Sequence, residues 1–151
     1  MNTLGFLFSS FLIAASFYFQ YVEGLPPCPL CILQRVAVMG LALVFFWGMW
    51  LKQRRWLMIQ SFIAIPIISL GLYASARQIY LQHLPKDQIP TCGPSLDVMI
   101  HHLPWQDTLK LLFAGSGDCA KIDWTFLGLS MPEWTFAAFM GFLVMVIVSK
   151  R

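Results

Sequence analysis

Charge is the scarcest property of this chain. Lys and Arg number ten and Asp and Glu seven, together 11% of 151 residues, against about 25% in a typical soluble domain. With 58% of the residues hydrophobic, an ordinary water-soluble fold is excluded, because too little polar surface exists to cover the apolar side chains. Membrane residence follows, and no nucleic-acid partner is expected.

Charge is missing in long runs as well as on average. About 20 apolar residues are needed to cross the hydrocarbon core, and four segments meet or approach that length. Residues 4–22 and 56–76 carry no charge, 30–51 carries only Arg35, and a shorter apolar run is extended back to Met131 to give 131–149. The first segment lacks a positively charged start, and no Ala-x-Ala-like site follows it, so it reads as a retained helix and not a cleaved signal. Pro66 falls mid-segment in the third, where it removes one backbone hydrogen bond and predicts a kink. The predicted fold is an all-α integral membrane protein: one domain, residues 1–151, forming a four-helix transmembrane bundle. Connections fall at 23–29, 52–55 and 77–130.

Acidic residues are absent from two places. "LKQRRW" holds Lys52, Arg54 and Arg55, and the C-terminus holds Lys150 and Arg151, with no acid near either. All seven acids (Glu23, Asp87, Asp97, Asp107, Asp118, Asp123 and Glu133) fall in or beside the other two connections. The positive-inside rule then places loop 52–55 and both termini in the cytoplasm.

Cysteine is also sparse, at four residues, and each of them falls on the outer side of that topology. Cys28 and Cys31 open the second helix, while Cys92 and Cys119 lie in the 77–130 connection. Three readings compete: two stapling disulfides, a four-thiolate zinc site, or a site where disulfides exchange. The wide separation of Cys92 from Cys119 disfavours zinc. Pro29 suits a first helical turn, and a helix N-terminus stabilises thiolate, the form that attacks disulfides. That setting favours exchange.

Arg35 lies four residues after Cys31 on the same helix face, about 6 Å along the axis. A lipid-facing arginine there costs roughly 2.5–3.5 kcal/mol on insertion scales unless it snorkels or finds a partner. Its expected partner is a negative charge, either the Cys31 thiolate or an oxygen of a ligand at the bilayer edge.

The long connection carries further signals. Pro85, Pro90 and Pro94 argue for an extended or turn-rich segment from Arg77 through Cys92. In "WQDTLKLLFAGSGDCA", Trp105, Leu109, Leu112 and Phe113 fall at helical spacing, as in a short amphipathic helix on a membrane surface. Ser130 and Glu133 are spaced as a capping box for the last helix. His101 and His102 read as solvated loop residues. His83 could face either a ligand or the headgroups.

"CPLCILQR", "PTCGP" and "SGDCA" followed by "FLGLSMPEW" occur in this order over essentially the whole chain. In that arrangement the sequence resembles the disulfide bond formation protein B (DsbB) family, bacterial inner-membrane quinone reductases of the periplasmic oxidation pathway. The resemblance implies that a Cys92–Cys119 bridge accepts electrons from a reduced thioredoxin-like protein of the DsbA type, with Cys92 forming the mixed disulfide. Cys119 then exchanges with Cys28, and Cys31 passes the electrons to a quinone of the membrane pool, ubiquinone ahead of menaquinone, with Arg35 stabilising negative charge. His83 and Met131 resemble the family's quinone-proximal positions, and Gln34 stands where some members carry an acid. Two rivals are a quinone-linked enzyme of the vitamin K epoxide reductase type, in which the Cys-x-x-Cys follows the shuttle pair, and a disulfide-stapled scaffold without redox activity.

Overall fold

The structure is a computed structural model and describes residues 1–25, 27–51, 54–89 and 104–149. Cys92, His101 and His102, the predicted extended stretch around Cys92, and the charges Lys52, Lys150 and Arg151 lie outside the described residues. Four helices are long and apolar enough to cross a membrane. They are α1 (Asn2–Tyr21), α2 (Pro29–Trp50), α3 (Arg54–Gln82) and α5 (Met131–Val148), with the shorter α4 (Trp105–Ala114) in the connection before α5. The chain is a multi-pass membrane helical bundle, as its composition requires. Beyond an all-helical plan it adds one minimal hairpin, β1 (Thr125–Phe126) paired antiparallel with β2 (Leu129–Ser130). Leu127 and Gly128 form its tip with φ of 53° and 79°, the positive values that a two-residue type I′ turn requires.

The core lies among α2, α3 and α5. Ala37, Val38, Leu41 and Phe45 meet Ala64 and Ile68, and Phe139, Phe142 and Val146 close the cluster. Gly71 permits the tightest α3–α5 approach, since a Cβ there would sit 2.3 Å from the Phe139 ring. Helix α1 buries only Gly5 and Ser9. Its other faces, like Phe62 of α3 at 82% exposure, carry the apolar side chains that lipid solvates in place of protein.

Helix α3 continues to Gln82, beyond the boundary at residue 76 that hydropathy suggests. The added turn is polar, and its side chains are used at the outer end of the bundle. Arg77 Nε donates to Ala114 O at 3.3 Å, satisfying a carbonyl at the end of α4, and Gln82 Oε1 accepts from Ser130 Oγ at 3.0 Å. Helix α4 ends at Gly115, whose φ of +78° is open to glycine without strain. At the start of α5 the Ser130 N–H donates to Glu133 Oε2 at 2.6 Å within a capping box. Pro66 lies inside α3, which runs on as one helix across it.

Candidate functional site: three cysteines at the head of an apolar cleft

Cys28 is the N-cap of α2, and its sulfur accepts the Cys31 N–H at 3.3 Å. One turn of helix therefore folds the Cys-x-x-Cys back on itself, and the two sulfurs lie 2.7 Å apart. Cys119 is carried by a 3-10 turn at Gly117–Ala120. It packs with Cys28, Leu30, Ala74 and Leu81 in a second buried cluster. Cys28 is thus in hydrogen-bond contact with both of the other sulfurs. Hydrogen bonds to Cys119 and Cys31, together with burial, push the Cys28 thiol well above its ordinary value. The hydrogen bond from Cys28, helped by donors at Leu30 and Ser116, overcomes burial and lowers Cys119 to about 6. At neutral pH this leaves a proton on Cys28 and a thiolate at Cys119.

Arg35 is held by partners that the spacing of the motif did not point to. Its Nε donates to Ser16 Oγ at 2.8 Å, its Nη1 to Gln20 Oε1, and its Nη2 to Ser16 O at 3.3 Å, with the Phe17 ring 4.9 Å away. The guanidinium is held sideways by α1 and makes no hydrogen bond to Cys31. Ser16 and Gln20 sit one turn apart, and so they form a polar patch on one face of the helix. These contacts give the charge polar partners inside the helical bundle. Three contacts leave part of its five-donor fork uncommitted.

The neighbour that Cys31 does have is Gln78 of α3, whose Nε2 donates to the sulfur at 3.4 Å. Gln34 Nε2 donates to Gln78 Oε1 at 3.0 Å, and Thr135 Oγ1 donates to Gln34 Oε1 at 3.1 Å. Both glutamines are buried. Nothing in the motif spacing pointed to Gln78 or Thr135, because each meets Cys31 only through packing of separate helices.

Beside these groups a cavity of about 710 Å³ opens between α1 and α5, and Cys31, Arg35 and Met131 line it. Phe8 of α1 and Phe142 of α5, with ring centroids 5.1 Å apart, close its inner end. At the outer end Phe19, Trp124, Phe126 and Trp134 form a chain of ring contacts from α1 across the hairpin to α5. Asp118, Lys121 and Asp123 add charge to the outer lining, with Lys121 and Asp118 paired at 2.9 Å. Volume and lining are those of a site for a small apolar molecule.

His83 does not line this cavity. It is exposed beyond the last turn of α3, with Nδ1 2.8 Å from Ile79 O. Gln78 and Gln82, four residues apart, occupy the cavity side of α3, and His83 falls about 100° further round the helix.

The whole-chain comparisons agree with one another. The family model described as "Disulfide bond formation protein DsbB" matches residues 1–149. A disulfide bond formation protein B of Methylococcus capsulatus is 46% identical over 143 residues, covering 91% of this chain and 85% of that protein. One from Nitrosococcus oceani is 42% identical over 138 residues, covering 91% and 82%. One from Stutzerimonas stutzeri is 41% identical over 145 residues, covering 93% and 87%. A four-helix membrane bundle that gathers a Cys-x-x-Cys and a third cysteine beside an apolar cleft, and matches that family from end to end, belongs to the disulfide bond formation protein DsbB family.

Proposed function

We propose that the chain is a dithiol:quinone oxidoreductase of the bacterial inner membrane, with both termini cytoplasmic and its cysteines on the periplasmic side. It withdraws two electrons from a periplasmic thioredoxin-like dithiol protein of the DsbA type and delivers them to a membrane quinone, ubiquinone ahead of menaquinone. The observation that carries this reading is the cavity of about 710 Å³ with Cys31 in its wall.

The order of sulfurs supports a direction of exchange. The partner's thiolate attacks a Cys92–Cys119 bridge at Cys92, and the partner's second thiol resolves that mixed disulfide and leaves oxidised. Cys119, now a thiolate, attacks Cys28 of a Cys28–Cys31 bridge. The S–S bond to Cys31 breaks, and Cys31 leaves as a thiolate holding the electron pair. Cys28 is in hydrogen-bond contact with both Cys31 and Cys119, which suits this exchange. Cys92 then attacks Cys119 of the Cys119–Cys28 bond and releases Cys28 as a thiolate. Cys28 and Cys31 close their own bridge by giving up two electrons, for which a bound quinone would be the acceptor, so both bridges are restored.

The residues around the cavity fit a quinone. The lining is mainly apolar, the uncommitted donors of Arg35 suit a carbonyl oxygen, and Met131 and the aromatic side chains would flank a ring. A bound quinone supplies a two-electron, two-proton acceptor soluble in the lipid around it. Arg35 holds its charge beside the place where negative charge develops, and the Phe19–Trp134 aromatic chain excludes water from above.

Two of the cavity's walls are tryptophans, Trp124 and Trp134, and this supplies the test. Titrating quinone into the purified protein should quench tryptophan emission saturably, and Ala138→Phe, which fills the cavity from α5, should weaken binding at least tenfold. Equal affinity in the two proteins counts against this cavity as the quinone site.

A further inference from the structure

Cys31 is the end of a hydrogen-bond chain that crosses three helices. It runs from Thr135 of α5 to Gln34 of α2, to Gln78 of α3, and to the sulfur. Each link has a direction. With Thr135 as donor, Gln34 must accept through Oε1 and so presents its NH₂ to Gln78. Gln78 accepts through its own Oε1 and presents its NH₂ to sulfur. An N–H aimed at sulfur stabilises the thiolate over the thiol.

The same residues support a second, reversed chain. If both amides turn over, a Cys31 thiol donates to the Gln78 carbonyl, Gln78 donates to Gln34, and Gln34 donates to the Thr135 oxygen. The Thr135 proton then needs another acceptor, and Pro132 O is 2.9 Å from Oγ1. Ser75 Oγ is a further neighbour at 3.5 Å, but its own proton is given to Gly71 O at 2.8 Å. A single hydroxyl proton thus chooses between two complete chains, and only the first aims an N–H at the sulfur, at 3.4 Å, although a Cys31 thiol also reaches Gln78 Oε1 at 3.7 Å in it.

We propose that Thr135 is a positioning residue for Cys31: its hydroxyl, acting through Gln34 and Gln78, sets which face of the terminal amide meets the sulfur and so biases Cys31 toward the thiolate. The burial of both glutamines makes the chain close to all-or-none, because a misturned amide in the middle would leave two like groups facing each other without water. The charged and titratable groups around Cys31 do not replace this bias. Cys28 donates its S–H to Cys31 at 2.7 Å, a contact that acts alongside the amide chain and does not depend on Thr135, and Cys119 packs against Cys28. Arg35 directs three of its donors to α1 and makes no hydrogen bond to Cys31, Glu133 of α5 caps Ser130, and α1 has no charged residue. Asp118, Lys121 and Asp123 stand at the outer lining of the cavity, and Asp107 and Lys110 of α4 pair with each other.

The inference rests on Cys31 acting as a thiolate, and its test requires neither quinone nor a dithiol partner, so its failure is distinct from failure of the proposed function. Reduced full-length protein in detergent is alkylated with iodoacetamide across a pH series, and modification of the Cys31 peptide is quantified by mass spectrometry. Thr135→Val should move the Cys31 profile to higher pH by about 0.5–1 unit, a roughly three- to tenfold loss of rate below the midpoint, the worth of one hydrogen bond. Thr135→Ser, which keeps the hydroxyl, should restore the wild-type profile. In a Gln78→Met background the Thr135→Val change should add nothing, since the chain is already cut. If Thr135→Val does not fold, Gln34→Met breaks the same chain and should give the same shift. A wild-type profile in Thr135→Val or Gln34→Met overturns the proposal, and so does a Thr135→Val shift that persists beside Gln78→Met.

Discussion

At the scale of single residues, the three described sulfurs have unequal acidities for a geometrical reason. Cys28 is surrounded by sulfur and donates, while Cys119 receives the Cys28 hydrogen bond and backbone N–H groups. Because the Cys119 value is depressed to about 6, its thiolate persists as pH falls from the ordinary thiol range, about 8.5, and is lost only near pH 6. A reagent small enough to reach a buried sulfur, such as methyl methanethiosulfonate, should therefore modify Cys119 of the reduced protein with a midpoint near pH 6. In Cys28→Ser the main donor is changed, and the midpoint should rise. A midpoint at the ordinary thiol value in wild type would remove the electrostatic basis for Cys119 as the attacking group. Arg35 is the residue at which sequence reasoning was least complete. Its cost in a membrane helix was legible, and so was its need for a partner. The partner was not, because Ser16 and Gln20 lie in the preceding helix and only the α1–α2 packing brings them to it.

At the scale of elements, the helices follow from apolar run length, and the outer end of α3 shows where that criterion stops. Arg77, Gln78 and Gln82 end the apolar run but not the helix, since each side chain has a partner on another element. This extra turn puts Gln78 at Cys31 and takes His83 off the cavity, which the hydropathy boundary could not reveal. Packing between α3 and α5 turns on Gly71. Gly71→Ala drives a methyl group into buried Phe139 and should lower stability by about 1–3 kcal/mol, as overpacking of a tight core does. Gly141→Ala, with nothing within 4 Å of its added Cβ, is the control and should stay near wild type. Thermal unfolding in detergent compares the two, and equal stability would mean that α3 and α5 are not locked at Gly71.

At the scale of the whole molecule, composition dictated the membrane, apolar runs dictated four crossings, and the ordered cysteine motifs carried the family. What the sequence could not show is the gap between α1 and α5. A cleft is a property of how separate helices pack, here bounded by Phe8 against Phe142 and by Phe19 against Trp124, and no local pattern encodes that packing. In the proposed function the cleft is what would turn a set of exchangeable sulfurs into a route from a soluble dithiol to a lipid-soluble acceptor. The route is tested most directly by mixing the purified protein with a reduced thioredoxin-like dithiol protein and quinone, without oxygen, and following quinone absorbance. Wild type should consume one quinone per dithiol oxidised over many turnovers, and Cys31→Ser should consume none. Quinone loss in Cys31→Ser at the wild-type rate would contradict Cys31 as the electron donor at the cleft.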